Sequence, residues 1–228
     1  RIERINAFGD NGGGQWNIGG NHQIAGLRLV DDQVVGDIKT AAGWKSILVG
    51  GMGVGASGYY ALDITDPANP KSLWEFTDSD LGKSFGNPII ITKLANGSES
   101  NNSDGTWVVV FTSGLNNTGP GYLYVVDANT GVVIRKIQTK DPSDTVVGTS
   151  ATPANLGEIN AWVDNVNNNT AQRIYGGDML GNLWRFDISG LVEPNYASLQ
   201  LAKFQISSGS PVTTTPQPIS TRPELANV

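Results

Sequence analysis

Short runs of mostly apolar residues, each closed by Gly, Asn, Asp or Pro, follow one another along this chain, and helical 3.6-residue spacing is nowhere sustained. Three of the runs end in the same way: Gly58-Tyr59-Tyr60-Ala61-Leu62-Asp63, Gly121-Tyr122-Leu123-Tyr124-Val125-Val126-Asp127 and Gly181-Asn182-Leu183-Trp184-Arg185-Phe186-Asp187. In each, an aromatic stands three positions before the aspartate (Tyr60, Tyr124, Trp184) and a bulky apolar residue one before it (Leu62, Val126, Phe186). The aspartates are 64 and 60 residues apart (127 minus 63, 187 minus 127). Self-similarity at such a period marks repeated units that bury their faces against their neighbours.

Around each anchor strand the same order of elements recurs, as in a four-stranded antiparallel blade. The first unit offers strands at Gln33–Lys39, Trp44–Val49, Tyr59–Asp63 and Leu73–Thr77, and the second at Pro88–Leu94, Trp107–Thr112, Leu123–Asp127 and Val132–Gln138. The third offers Thr149–Leu156, Arg173–Gly177, Leu183–Asp187 and Leu199–Ile206. The fold class is therefore all-β: a β-propeller present as about three and a half blades, read here as part of a larger, modified ring, the alternative being a four-bladed ring whose last blade Gln217–Val228 and residues 1–28 complete together. Residues 1–28 form an irregular N-terminal segment, 29–80 a first blade, 81–140 a second, 141–210 a third, and 211–228 the opening of a further one, all in one propeller domain. Turn chemistry agrees: in Asp127-Ala128-Asn129-Thr130-Gly131, Asn and Gly tolerate the positive φ that a hairpin needs.

Composition narrows the function. Glycine makes up 29 of 228 residues, well above the roughly 7% of average usage, which suits many tight turns. The net charge of −6 argues against a nucleic-acid partner, which needs a concentrated basic face. No apolar run reaches the roughly 18 residues of a membrane-spanning helix, and the absence of cysteine excludes disulfides and thiolate metal sites. Residues 1–10 lack a signal-peptide core, so an exported protein would carry its targeting segment elsewhere.

The chemistry-bearing residues read as structural. Asp63, Asp127 and Asp187 each end a strand where a carboxylate accepts turn N–H groups. Asp178, in Gly-Gly-Asp-Met-Leu-Gly, is a tight-turn residue, and His22, the single histidine, has no nucleophile pattern beside it. Trp44, Trp107 and Trp184 fall at strand positions and are expected to pack between blades. Asn96, Asn101, Asn116 and Asn168 open Asn-x-Ser/Thr sequons that suit exposed loops.

A long ordered set of words resembles the PilC/PilY-type β-propeller domain of type IV pilus biogenesis and tip-adhesin proteins. The words include Trp44-Lys45-Ser46-Ile47-Leu48-Val49-Gly50-Gly51, Gly58 to Pro70, Leu73-Trp74-Glu75-Phe76, Phe85-Gly86-Asn87-Pro88, Trp107 to Phe111, Tyr175 to Asp187 and Gln217 to Glu224. The resemblance implies an exported, non-enzymatic module at the periplasm, outer-membrane surface or pilus tip. It would act in pilus assembly, retraction control, twitching and surface attachment, with minor pilins or other tip components, and a host or abiotic surface, as partners. It also implies a calcium loop before the Tyr175 word, whose oxygen-bearing positions would here be Asp164, Asn168, Thr170 and Gln172, with Val166 at a position lacking any side-chain oxygen. A polar hairpin whose Asn residues satisfy the turn backbone is the alternative for that loop. Two other functions stay open: a quinoprotein dehydrogenase, because Gly121 to Gly131 also resembles the repeat of those enzymes, and a carbohydrate-binding propeller using exposed Tyr and Trp.

Overall fold

The computed structural model describes residues 15–18, 22–25, 33–94, 103–115, 119–165, 169–193 and 197–226. Among them there are strands and turns and no helix. β3 (Gln33–Thr40), β4 (Gly43–Gly51), β5 (Tyr59–Asp63) and β6 (Lys71–Phe76) form a four-stranded antiparallel sheet, unit 1, following a short hairpin of β1 (Gln15–Ile18) and β2 (His22–Ala25). Unit 2 comprises β7 (Ile89–Leu94), β8 (Ser103–Thr112), β9 (Tyr122–Asp127) and β10 (Val133–Gln138). Unit 3 comprises β11 (Ile159–Asn165), β12 (Thr170–Gly177), β13 (Asn182–Asp187) and β14 (Ser198–Lys203). A last hairpin, β15 (Gln205–Ser208) with β16 (Thr213–Pro216), follows. Units 2 and 3 touch edge to edge through one parallel pairing, Thr170 with Thr92, where the two hydroxyls lie 3.0 Å apart.

Period-two alternation explains why the middle unit reads as nearly continuous apolar sequence: both of its faces are buried. Ile90, Val109, Phe111, Tyr124 and Val126 pack against Ile38, Ile47, Val49, Tyr59 and Trp74 of unit 1. Their strand neighbours Ile91, Val108, Val110, Leu123 and Val125 pack instead against Ile159, Ala171, Ile174, Trp184 and Phe186 of unit 3. The anchor aromatics keep one register: Tyr60, Tyr124 and Trp184 lie opposite Gly50, Phe111 and Gly176 of the preceding strand. Tyr124 and Trp184 face the preceding unit and are fully buried. Tyr60 faces the opposite side of unit 1 from unit 2, stays half-buried, and its hydroxyl accepts a hydrogen bond from Gln33 Nε2 at 2.7 Å.

Side chains of the outer strands stitch neighbouring units at equivalent places. Trp74 on β6 and Arg135 on β10 lie opposite Ala61 and Val125, each two residues before its anchor aspartate. Trp74 Nε1 donates to Ala128 O of unit 2 at 3.0 Å, and Arg135 donates to Asp187 O of unit 3 at 2.9 Å. The first strands of the three units, β3, β7 and β11, line a shared cavity of about 220 Å³ through Val34, Ile89, Ile91 and Asn160.

Four sequence expectations change at the level of strands. Thr149–Leu156 is no strand: Thr149 and Thr152 close a turn, and the inner strand comes later, at Ile159–Asn165. Buried Ala154 and Leu156 belong instead to a segment crossing from unit 2 to unit 3, with Ala154 N donating to Gly119 O and Met179 N to Ala154 O. Leu199–Ile206 breaks at Phe204, whose N–H turns to Gly181 O, so β14 ends and β15 begins. Among the described residues from Gln217 onward there is no strand: Ile219 N bonds to Asp178 O, and Ile219 packs where a Cβ on Gly177 would stand 2.2 Å away. Residues 1–28, read as irregular, contain the antiparallel pair β1–β2, in register from Gln15 opposite Ala25 to Ile18 opposite His22.

Candidate functional site

The three anchor aspartates terminate their strands as the turn chemistry requires. Asp63 Oδ1 accepts from Thr65 N, Asp127 Oδ1 from Asn129 N and Thr130 N, and Asp187 from Ser189 N and Val192 N, at 2.8 to 3.0 Å. Asp178 is a deeper version of the same device. Its fully buried carboxylate accepts from Leu180 N, Asn182 N, Asn182 Nδ2 and Trp184 Nε1. Burial pushes its carboxyl above the usual carboxylate range, and those donors partly offset the push. Such a group holds the β12–β13 turn.

One charged cluster was not legible from sequence spacing. Lys136 on β10 donates to Asp78 at 2.8 Å and Asp80 at 2.6 Å, both from the segment joining units 1 and 2, and its ammonium stands 4.6 Å from the Tyr122 ring centre. The Tyr124 hydroxyl donates to the same Asp78 oxygen at 3.0 Å. Burial alone would raise the Asp78 pKa, but the bonds from Lys136, Asp80 N and Tyr124 outweigh it and hold the carboxyl below its ordinary value. Burial, then the Asp78 charge, pushes the Tyr124 hydroxyl far up. Lys136 is 56 and 58 residues from its partners; the one sequence clue was the Asp-Ser-Asp triplet directly after unit 1.

The residues implied for calcium lie around the β11–β12 hairpin. Asn168 is outside the described residues, as are the sequon asparagines Asn96, Asn101 and Asn116. Asp164, 7% exposed, pairs one oxygen with the Arg173 guanidinium and accepts Gln172 N–H on the other at 3.0 Å. The Thr170 hydroxyl is buried against Thr92. Three or more carboxylates or other acidic or imidazole ligands are not gathered anywhere among the described residues. A hard dication requires several free oxygen ligands, and here the single carboxylate already has a cation beside it, so the described donor set does not fit calcium.

The tryptophans divide. Trp184 is fully buried between units 2 and 3, as its strand position implies. Trp44, the second residue of β4, is instead 61% exposed. It meets half-buried Trp107 edge to face, with ring centres 6.3 Å apart.

A profile of the PilY1 beta-propeller domain matches residues 3–203. This chain belongs to the PilY1 β-propeller family. The type IV pilus biogenesis factor PilY1 homolog of Xylella fastidiosa is 37% identical over 158 residues, 64% of this chain and 10% of that protein. PilY1 of Pseudomonas aeruginosa, also a type IV pilus biogenesis factor, is 35% identical over 175 residues, 75% of this chain and 13% of that protein. The crystal structure of the Pseudomonas aeruginosa PilY1 C-terminal domain superposes with a TM-score of 0.65 at 29% identity, covering 85% of this chain and 40% of that one. The three packed units thus belong to a PilY1-type β-propeller fold, and the chain spans about a tenth to a seventh of the curated relatives it matches (10% to 14%).

Proposed function

We propose that this chain is the propeller module of a type IV pilus biogenesis factor, a non-enzymatic platform that is exported and works at the pilus tip or outer surface. Its blades hold loops rigidly for contact with minor pilins or other tip components, in assembly and retraction control, and its outer face takes part in surface attachment. The observation that carries this reading is the family match over nearly the whole chain, joined to the anchor aspartates Asp63, Asp127 and Asp187, each bonded within its own turn. Any calcium at the β11–β12 hairpin would have to compete with Arg173, which already pairs with Asp164. Deleting the three units in frame from the parent protein should abolish surface pili and twitching. Normal piliation and motility in that strain would refute the assembly role.

A further inference from the structure

The outward face of unit 3 holds the same register as two faces that are already covered. Two residues before each anchor aspartate stand Ala61, Val125 and Arg185; opposite them, on the preceding strand, lie Val49, Val110 and Tyr175, and opposite the aspartates themselves lie Ile47, Val108 and Arg173. In units 1 and 2 these positions are aliphatic and buried against the next unit. In unit 3 they carry two arginines and a tyrosine, with Trp162 opposite Arg173 on β11 and Leu199 opposite Arg185 on β14, and all five side chains are partly exposed. The other face of the same sheet, with Ile174, Trp184 and Phe186, is buried against unit 2.

The path of the chain shows what covers such a face. Gly51, Thr112 and Gly177 are equivalent, opposite Tyr59, Leu123 and Leu183, and each is crossed by the segment that leaves its unit. A Cβ on Gly51 would stand 2.5 Å from Ser84 O, Thr112 Oγ1 donates to Gly157 O at 2.9 Å, and a Cβ on Gly177 would clash with Ile219. The first two crossings lead directly into β7 and β11, the first strands of the covering units. The third continues past Ile219 to Pro223, whose carbonyl oxygen accepts from Asn160 Nδ2 at 2.9 Å. Asn160 lies opposite Tyr175 and so shares the open face, which means that the chain has already been carried over the rim to that side.

The chemistry of this face differs from the two aliphatic seams. Arg, Trp and Tyr are the residues enriched at the buried centres of protein interfaces. Arg173 is paired with Asp164, but a guanidinium carries more N–H donors than one carboxylate consumes. Covering such groups with aliphatic side chains would strip their water and replace no hydrogen bond, so the covering surface has to bring oxygen acceptors. The seams already formed show the device: Trp74 and Arg135, level with Ala61 and Val125, donate to the main-chain oxygens of Ala128 and Asp187 in the next unit.

We infer that the outward face of unit 3 is the docking face of a fourth unit of the same polypeptide. This seam, unlike the two before it, is held by hydrogen bonds from Arg173 and Arg185 to oxygen acceptors of that unit, around an aromatic centre of Trp162 and Tyr175. The inference rests on the proposed reading of the chain as a module of a longer propeller protein and adds the chemistry by which its next unit is recognised.

Hydroxyl-radical footprinting compares the face in the full-length parent protein and in the 228-residue chain. Trp162 and Tyr175 should be labelled severalfold less in the parent. Arg185→Leu should return their labelling in the parent toward that of the 228-residue chain, and should lower the melting temperature of the parent by more than that of the 228-residue chain. If the shorter chain does not fold, the comparison of the Arg185→Leu parent with the unsubstituted parent stands by itself. Protection lost in high salt assigns carboxylates as the acceptors, and protection indifferent to salt assigns main-chain carbonyls. Equal labelling in the two proteins, or an Arg185→Leu parent that keeps both its protection and its melting temperature, would overturn the inference. Either of those results, in strains whose pili still depend on the propeller, leaves the assembly role standing.

Discussion

The seam between units 1 and 2 can be tested by a pair of substitutions at one contact. Gly131 has φ 73°, and a Cβ built there stands 2.8 Å from Trp74 Cγ, 2.9 Å from Cδ2 and 3.0 Å from Cβ. Gly131→Ala therefore carries two separable costs: about 1–2 kcal/mol for a left-handed alanine and about 1–3 kcal/mol for overpacking against the indole. Trp74→Ala alone removes a 7%-exposed side chain and its hydrogen bond to Ala128 O, at about 3–5 kcal/mol. In the double variant the added methyl enters space the indole has left and keeps only the 3.0 Å contact with the Cβ of residue 74, so most of the overpacking goes and the backbone cost of about 1–2 kcal/mol is the main one beyond Trp74→Ala. The double-mutant cycle should show a favourable coupling of about 1–3 kcal/mol. Equilibrium urea unfolding followed by far-UV circular dichroism measures all four stabilities at a shared m-value. Additivity within about 0.5 kcal/mol would mean that Trp74 does not press on the Gly131 turn, and the seam geometry would be wrong.

Asp178→Asn puts an amide NH₂ where Asn182 Nδ2 and Trp184 Nε1 both donate, and should cost about 2–3 kcal/mol, read as a melting temperature lower by about 4–12 °C. Because the Asp78 carboxyl is held below its ordinary value of 3.8, it contributes stability above that pH that is lost as pH falls through the folded value. Lys136→Met should flatten the acid limb of a pH–stability profile, and an unchanged limb would exclude the cluster as a latch. Tyr124, raised above its ordinary 10.0, has the opposite sign: stability is full below that pH and declines above it. Millimolar calcium, and its removal by a chelator, should leave the melting temperature of the 228-residue chain unchanged, whereas a rise with calcium that Asp164→Asn abolishes would restore the metal reading.

Much of the fold was legible because strands announce themselves locally. The Asp-ended strand, with its aromatic three positions earlier, recurs in units 1 to 3 with one register, and the turn role of Asp63, Asp127, Asp187 and Asp178 follows from a short side chain reaching backbone donors two to five residues on. The inner strand of unit 3 was misplaced: Thr149–Leu156 offers β-branched Thr149 and Thr152 and apolar Ala154 and Leu156, but it is broken by Pro153 and its backbone pairs with Gly119 and Met179, contacts distant in sequence. Trp44 was misjudged for a related reason. Strand position fixes which way a side chain points, not how far the neighbouring sheet extends over it.

Sequence alone determined that the chain is a set of repeated antiparallel units, where the turn after each anchor strand falls, and that each anchor aspartate serves its own turn, since period-two alternation and turn chemistry act over a few bonds. Only the tertiary structure decided that Lys136 meets Asp78 and Asp80, that Arg173 neutralises Asp164, and that Trp44 is left in solvent beside Trp107. Those outcomes depend on the angle and offset at which one twisted sheet meets the next, quantities set by the sum of many packing contacts and carried by no single stretch of residues.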